Sequence, residues 1–139
     1  LGYGSNQLSV VAADGSSPPF APGQFDAVLL DAPCSGLGAL RRRPDSRWRV
    51  QPSDITVLGA LQQSLIDAAT ALVKPGGRFV YSVCTINGSE SIDHHVPEGW
   101  EVDRSPPPGE WQPFGSGWRV LPHEADTDGM VLMRYRRTT

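Results

Sequence analysis

Two cysteines carry the chemistry that this sequence could perform. Cys34 lies in the loop-like segment DAPCSG, which follows the apolar run 27–30, and Cys84 follows the strand-like run 78–83. A thiol attacks only as the thiolate, so its reference pKa of about 8.5 has to be lowered by nearby positive charge or a helix start. Free cysteines are also commonly buried as small apolar side chains, which leaves a structural role open. The shared position after a strand-like run favours nucleophilic chemistry.

Two aspartates follow strand-like runs in the same way. Asp31 comes directly before the loop that holds Cys34, and Asp14 ends the apolar run 8–13. Both could be simple turn residues, because Asp commonly occupies turns. Acids at strand ends also hydrogen-bond the hydroxyl or amino groups of nucleotide-like ligands. An acid beside a thiol could equally hold a base ring while the thiol attacks it, and these interpretations stay open from the spacing alone.

Positive charge is concentrated in residues 41–49, RRRPDSRWR, which we call the arginine segment. The whole chain has a formal net charge of -3 at pH 7, which argues against a protein that grips nucleic acid over its entire surface. A charge run is often only a solvated surface. This one also suits phosphate contacts combined with base stacking, as in single-stranded RNA recognition. We expect an ordered loop here, with candidate RNA-binding residues Arg41, Arg42, Arg43, Arg47 and Trp48.

The alternation of strand-like and helix-like patterns predicts an α/β fold with a parallel sheet. The run 25–31 is apolar enough to be a strand buried on both faces. Because parallel strands end at a common edge, we expect Asp14, Asp31, Cys34 and Cys84 to lie along that edge. The strand-like runs are 8–13, 25–31 and 78–83.

One helix is predicted between the second and third of these strands. Apolar residues recur every three or four positions from Ile55 to Leu72, Ser53 is the expected N-cap, and the Lys-Pro-Gly-Gly segment 74–77 is expected to end the helix. Beyond Thr85 the patterns weaken. There we expect a short helix in 87–96, a brief strand at 100–102, an irregular loop over 104–117, a strand or loop at 118–122 and a final strand at 129–136.

Several classes of protein are disfavoured by the composition. No apolar stretch reaches the roughly 20 residues that span a bilayer, and no start typical of a signal peptide is present, so we expect a cytoplasmic protein without a membrane partner. The two cysteines lack a CxxC spacing and the three histidines are not arranged to join them, so we expect no metal site.

The loop segment resembles a known family. Residues 31–36, DAPCSG, followed by Gly38, Arg41-Arg42, Pro44-Asp45 and Trp48, are similar to the RNA (cytosine-5)-methyltransferases of the Sun/Fmu type, which include the 16S ribosomal RNA methyltransferases B. A second matching block comprises residues 74–77 and 81–85. A third, weaker one comprises residues 121–123 and 128–129. The first two blocks are specific, because a Pro-Cys loop and a second cysteine at a strand end distinguish this family from other methyltransferases.

The resemblance implies a partial Rossmann-like class I methyltransferase sheet, mostly parallel with an antiparallel C-terminal strand. It implies S-adenosylmethionine as the cofactor and RNA, 16S ribosomal RNA in particular, as the partner. Cys84 would add to carbon 6 of a cytosine, which activates carbon 5 to take the methyl group, and Cys34 would assist the later elimination. Asp31 would lie near cofactor and base, and the cofactor contacts would be Asp14, Asp31 and Pro33.

The sequence departs from the family pattern at several positions. Val83 stands where the family usually has Thr, Met130-Val131 replaces an aromatic pair, and Gly88–Ser91 replaces Pro-Glu-Glu-Asn. No glycine-rich cofactor loop precedes Leu8. We therefore expect residues 1–139 to be the C-terminal part of one methyltransferase domain, lacking its first strands, inactive alone and binding S-adenosylmethionine weakly or not at all.

Two competing functions and one further property stay open. The chain could be a non-catalytic RNA-binding module whose cysteines are structural, or a methyltransferase acting on another substrate. A missing sheet edge would also leave the strand expected at 8–13 exposed and able to pair with another copy of the chain.

Overall fold

The computed structural model describes residues 8–139, and these form one six-stranded sheet with helices and turns around it. The strand order is β1-β2-β6-β5-β4, and β3 pairs with β6 on the same edge as β5 but towards the other end of β6. The strands are β1 Phe25–Asp31, β2 Val73–Val83, β3 Trp100–Val102, β4 Gln112–Phe114, β5 Gly117–Val120 and β6 Met130–Arg137.

The longest helix lies between β1 and β2 in the sequence. The helices are α1 Ser46–Arg49, α2 Pro52–Ala71 and α3 Pro122–Ala125, and 3₁₀ turns occupy Leu37–Ala39 and Gly88–Glu90. The expected N-cap of α2, Ser53, is wrong by two residues. Gln51 is the cap, because its side chain and that of Asp54 reciprocally accept each other's backbone N–H groups, with Pro52 in the first turn.

The predicted stop signal of this helix lies inside a strand. The helix ends at Ala71, and β2 already begins at Val73, so the Lys-Pro-Gly-Gly residues 74–77 belong to the strand. The pairing of β1 with β2 shifts register there, since Phe25 faces Val73 while Ala27 faces Arg78. Such a shift accommodates a proline and two glycines that a regular strand would not take.

The α/β fold and the antiparallel C-terminal strand are both confirmed. Strands β1 and β2 pair in parallel, joined through α2, and β6 pairs antiparallel to β2. Among the described strands, one pair is parallel and four are antiparallel, so the antiparallel part is larger than the single strand expected. The reason is local: β4, inside the predicted irregular loop, forms a hairpin with β5, and β3 and β5 both add to β6.

The core lies between α2 and the central strands. Ile66 of α2 is buried together with aromatic side chains of β2, and Phe79 stacks on Tyr135 of β6 with ring centroids 6.1 Å apart. One prediction about this sheet is wrong: β1 is not buried on both faces. Leu29 is 68% exposed, whereas Val28 packs against the core, because no described element covers the other face of this edge strand.

The strand predicted at 8–13 is absent from the described structure. These residues form no ladder, and Val10 is 89% exposed. Apolar and β-branched residues favour a strand only where a neighbouring strand offers backbone partners and a face to pack on. No such neighbour is formed among residues 8–139, so β1 is the edge of the described sheet.

The weaker predictions for the C-terminal half have mixed outcomes. The brief strand at 100–102 and the final strand, now β6, are confirmed. The short helix expected in 87–96 is reduced to a single 3₁₀ turn, capped by the Asn87 side chain accepting from Ser89 N–H. The segment 118–122 divides between the end of β5 and the start of α3.

Two glycines bring three chain segments together beside Cys84. Gly38 N–H donates to Cys84 O at 3.0 Å, and Gly129 N–H donates to Gly38 O at 2.8 Å. A Cβ atom on Gly38 would lie 2.0 Å from Gly129 O, and both atoms belong to backbone that is held in place. This contact therefore requires glycine.

We predict that Gly38→Ala lowers the free energy of unfolding by about 2 kcal/mol, because the new methyl group overpacks a backbone contact. Urea denaturation measures the change. The matched control is Gly59→Ala within α2, where the new Cβ would lie 3.4 Å from Ser89 O and alanine gains about 1 kcal/mol of helix propensity. Equal destabilisation by both substitutions would contradict the close approach at Gly38.

Candidate functional site

The two cysteines meet at the carboxyl edge of the parallel strand pair. Asp31 at the end of β1 is in register with Ser82 of β2, and Ala32 N–H donates to Ser82 O at 3.1 Å. This pairing carries the two chains side by side past the ends of their strands. Cys34 Sγ consequently lies 3.2 Å from Cys84 Sγ, and both side chains are half-buried.

Both thiols open into one cleft of about 630 Å³. The cleft is also lined by Asp31 from the end of β1 and by two arginines and one serine of the arginine segment. Acid, thiols and guanidinium groups therefore share one solvent-accessible space. The residues that line it are Asp31, Ala32, Pro33, Cys34, Ser35, Gly36, Ala39, Arg42, Arg43, Ser46, Cys84 and Asp128.

Burial fixes the protonation of one of the thiols. Burial first, and then the hydrogen bond to Cys84, raise the pKa of Cys34 to about 12. The positive charge of the arginine segment does not offset this rise, because the desolvation cost of the Cys34 thiolate dominates. At neutral pH, Cys34 keeps its proton and can donate it in a hydrogen bond to the Cys84 sulfur.

The arginine segment is only partly available to a ligand. Arg42 Nε donates to Asp128 Oδ2 at 2.7 Å, and Asp128 is only 9% exposed, so this pair anchors the segment to the residues before β6. The same carboxylate raises the pKa of Arg42. Arg41 pairs with Asp126 at 2.9 Å. Arg41 and Arg42 are therefore both held by ion pairs to the loop after α3.

The remaining members of the segment present a different surface. Arg43 lines the cleft, and the Arg47 guanidinium lies 4.9 Å from the centre of the Trp48 ring, which is 77% exposed. Arg49 pairs with Asp45 one turn earlier. The expected ordered loop is wrong for residues 46–49, which form the short helix α1, and this turn is what places Arg47 over Trp48.

Asp14 is not brought to the cleft. Its carboxylate accepts from Ser16 N–H at 2.9 Å and from Ser16 Oγ at 2.7 Å, and these bonds lower the pKa of Asp14. This is the turn geometry that was the alternative interpretation of Asp14. The residue does not end a strand, because residues 8–13 form none, so the argument that placed it at the common sheet edge fails.

Glu90 is the residue at this site that the sequence did not reveal. Its side chain is fully buried, and its carboxylate accepts from Ser35 N–H at 2.7 Å, from Ser35 Oγ at 2.5 Å and from Thr85 Oγ1 at 3.0 Å. Ser35 is 55 positions away in sequence, so no local pattern could indicate the contact. The segment 88–91 was notable only as a departure from the family motif.

A further layer of polar groups supports the loop of Cys34. Gln62 Nε2 donates to Pro33 O at 2.7 Å, and its Oε1 lies 3.0 Å from His94 Nε2. Burial lowers the pKa of His94, so this imidazole is neutral at pH 7 and can donate through Nε2. Tyr81 Oη donates to Glu90 O at 2.8 Å. The helix α2 and strand β2 thus hold this loop from both sides.

We predict that Cys34 reacts slowly with iodoacetamide. In the variant Cys84→Ser, burial still raises the pKa of Cys34, so at pH 8 the folded protein should be labelled about tenfold or more slower than the same variant unfolded in urea, since the reaction requires the thiolate. Mass spectrometry of the time course measures both rates, and above about pH 9 the folded rate should still rise with pH where the unfolded rate has levelled off. Equal labelling rates in the folded and unfolded protein would contradict the raised pKa of Cys34.

Comparison with solved structures defines the class of protein. The chain superposes on the crystal structure of NSun6 from Pyrococcus horikoshii with SFG at a TM-score of 0.67 and 27% identity, covering 80% of this chain and 29% of that one. The fold is therefore that of the Rossmann-like methyltransferases. A sequence profile of the family described as 16S rRNA methyltransferase RsmB/F matches residues 2–136. The chain belongs to this 16S rRNA methyltransferase RsmB/F family.

Curated relatives agree with the family. A Mycobacterium tuberculosis protein named as a methyltransferase, without a stated substrate, is 48% identical over 146 residues, covering 95% of this chain and 30% of the relative. The ribosomal RNA small subunit methyltransferase B of Vibrio vulnificus is 38% identical over 133 residues, covering 88% of this chain and 29% of the relative. The chain thus spans about a third of the length of these relatives.

Residues 8–139 lack two kinds of feature, a membrane-spanning helix and a metal-binding cluster. No helix in this range is both long and apolar enough to cross a lipid bilayer. The same residues contain no group of three or more His, Cys, Asp or Glu side chains arranged to hold a metal ion.

Proposed function

We propose that this chain is the C-terminal part of the catalytic domain of an rRNA cytosine-5 methyltransferase. The observation that carries the proposal is the pair of thiols 3.2 Å apart in one open cleft, with Asp31 on the cleft wall. Two cysteines on neighbouring parallel strands serve no evident purpose in a methyltransferase without a covalent step. Family membership supports RNA as the substrate, with 16S rRNA as the specific target.

The two thiols divide the work of covalent catalysis. The Cys84 thiolate attacks carbon 6 of the cytosine, and the displaced electron pair makes carbon 5 nucleophilic enough to take a methyl group. Loss of the carbon 5 proton to a water molecule then returns an electron pair to the ring and expels Cys84 again as the thiolate. Cys34 assists this elimination, because its retained proton can be donated in a hydrogen bond to the departing sulfur at 3.2 Å.

The cofactor proposed is S-adenosylmethionine, which supplies the methyl group from a sulfonium centre when bound. Asp31 and Pro33 line the cleft, and a carboxylate suits a ligand that carries positive charge. The structural neighbour NSun6 was crystallised with SFG, an analogue of S-adenosylmethionine. Asp14 lies outside the cleft, so Asp31 and Pro33 form only part of a cofactor site, in keeping with weak binding by this chain alone.

The arginine segment is proposed to hold the RNA. Arg43 faces the cleft, and Arg47 with Trp48 forms an exposed cation and aromatic pair beside it. Phosphate contacts and base stacking together hold single-stranded RNA, which the enzyme needs because the target base must leave its stack to reach the thiols. Arg41 and Arg42 are instead paired with Asp126 and Asp128, and Arg42 forms part of the cleft wall.

We predict opposite effects for the two cysteines in the full-length protein that carries this chain. Cys84→Ala should abolish methyl transfer, because no adduct can form at carbon 6. Cys34→Ala should accumulate a covalent protein–RNA adduct, since formation of the bond remains possible while its elimination is slowed. Denaturing gel electrophoresis with labelled RNA measures the adduct. Loss of activity in Cys34→Ala without any trapped species would contradict the assigned roles.

A non-catalytic RNA-binding module is the second candidate, favoured by the exposure of Trp48 and by the high pKa of Cys34. Under this alternative, the double variant Cys34→Ser with Cys84→Ser would keep all activity of the full-length protein. Under the proposed function the same variant is inactive. The two candidates therefore differ in one measurement.

We predict that Arg47→Ala weakens binding of single-stranded RNA by the full-length protein and reduces the slope of log affinity against log salt by about one phosphate contact. Trp48→Ala should weaken binding by about 1 to 3 kcal/mol with little change in that slope, because stacking is not ionic. Fluorescence anisotropy measures both. Arg104→Ala removes an equal charge outside the arginine segment and is the control. The same loss for Arg104→Ala would show that only overall charge matters.

A further inference from the structure

One buried carboxylate is bonded to the residues that directly follow both thiols. Ser35 follows Cys34, and Thr85 follows Cys84 in the chain. Glu90 Oε2 accepts from Ser35 Oγ at 2.5 Å and from Thr85 Oγ1 at 3.0 Å, so a single oxygen atom joins the two segments. The second oxygen, Oε1, accepts from Ser35 N–H at 2.7 Å.

Within residues 8–139, the Glu90 carboxylate is stabilised by hydrogen bonds from neutral groups and not by an ion pair. The side chain is fully buried, and in the described part of the chain no cation lies within ion-pair distance of it. Burying a carboxyl group without hydrogen bonds is costly, so its position depends on the neutral donors around it. Gln62 Nε2 and Asn87 Nδ2, each at 3.4 Å, complete this set of donors.

The backbone of Glu90 is held independently of its carboxylate. Tyr81 Oη donates to Glu90 O at 2.8 Å, and the 3₁₀ turn Gly88–Glu90 is capped by Asn87. A change confined to the carboxylate therefore leaves the turn anchored. What it removes is the shared acceptor between Ser35 and Thr85, whose hydroxyl groups also lie 3.3 Å apart.

We infer that Glu90 is a positioning residue that holds the thiols of Cys34 and Cys84 in register. The inference rests on the proposed function for its meaning in catalysis, since the sulfur-to-sulfur hydrogen bond that assists elimination needs this short distance. Glu90 touches neither sulfur and takes no part in bond making. It acts through the backbone and hydroxyl groups of Ser35 and Thr85.

A trivalent arsenical reports whether the two thiols are held close together, and the measurement does not depend on methyl transfer. Phenylarsine oxide condenses with two thiols, forming two As–S bonds and releasing one molecule of water, with no change of oxidation state. Only thiols held close together bind it tightly, because the second bond forms at a high effective concentration. Titration of this chain with phenylarsine oxide, followed by intact mass and loss of both free thiols, should show one arsenical bridging the two cysteines.

Glu90→Gln should weaken this capture by about tenfold, since an amide that replaces one acceptor oxygen with an NH₂ group cannot accept from all three donors. Thr85→Val, which removes the hydroxyl donor at similar volume, should weaken it in the same direction, and Thr85→Ser, which keeps the hydroxyl, should restore it. Glu98→Gln removes an exposed carboxylate and should leave capture unchanged. Circular dichroism with thermal melting confirms that each variant is folded.

Each outcome decides the inference. Capture by folded Glu90→Gln that equals the wild-type value, with only the melting temperature lowered, would reduce Glu90 to a structural residue. Failure of the wild-type chain to bridge the arsenical would also overturn the inference. If Glu90→Gln does not fold, Thr85→Val against Thr85→Ser carries the same test.

The result is separable from the methyltransferase proposal. A loss of arsenical capture in Glu90→Gln, together with no covalent RNA adduct in the full-length Cys34→Ala protein, would support the positioning role and reject the covalent mechanism. Normal formation and elimination of the covalent RNA adduct by full-length Glu90→Gln would support the covalent mechanism and reject the positioning role.

Discussion

The parallel pairing of β1 with β2 is the constraint on which the rest of the site depends. Register between Asp31 and Ser82 brings the ends of the two strands level, and the backbone bond from Ala32 N–H to Ser82 O extends that alignment past the strands. A slip of one residue would turn each side chain to the opposite face and separate the thiols. The 3.2 Å contact between Cys34 and Cys84 is therefore a consequence of sheet register before it is a feature of the loops.

Three groups of contacts convert this register into a fixed site. Gly38 and Gly129 close the backbone beneath Cys84, where no side chain fits. The Arg42–Asp128 ion pair ties the arginine segment to the residues before β6, so the position of this antiparallel strand also affects the shape of the cleft. Glu90 links the two cysteine-bearing segments from the protein interior. The cleft is thus framed by backbone on one side, by ion pairs at the rim and by a buried carboxylate behind.

The sequence was most informative where the determinant is local or repeats along the chain. The spacing of apolar residues predicted α2, and the position of each cysteine after a strand predicted that the two thiols meet. Prediction failed where a distant partner decides the outcome. The run 8–13 has the composition of a strand but no neighbour to pair with, and Glu90 acquires its importance from Ser35, which is 55 positions away. The raised pKa of Cys34 could not be predicted either, because charge is visible in a sequence whereas burial is not.

Under the proposed function, the position of Cys34 would let a pair of thiols serve one covalent step. Two sulfur atoms at 3.2 Å cannot both carry negative charge near neutral pH, because like charges at this distance repel strongly. Burial raises the pKa of Cys34, so this residue keeps its proton and can be the hydrogen-bond donor. Had the arginine segment instead lain directly over Cys34, the donor would be lost and the two cysteines would compete as nucleophiles. The ion pairs of Arg41 and Arg42 with the acidic loop after α3 hold part of that positive charge away from Cys34, whose pKa is set first by burial.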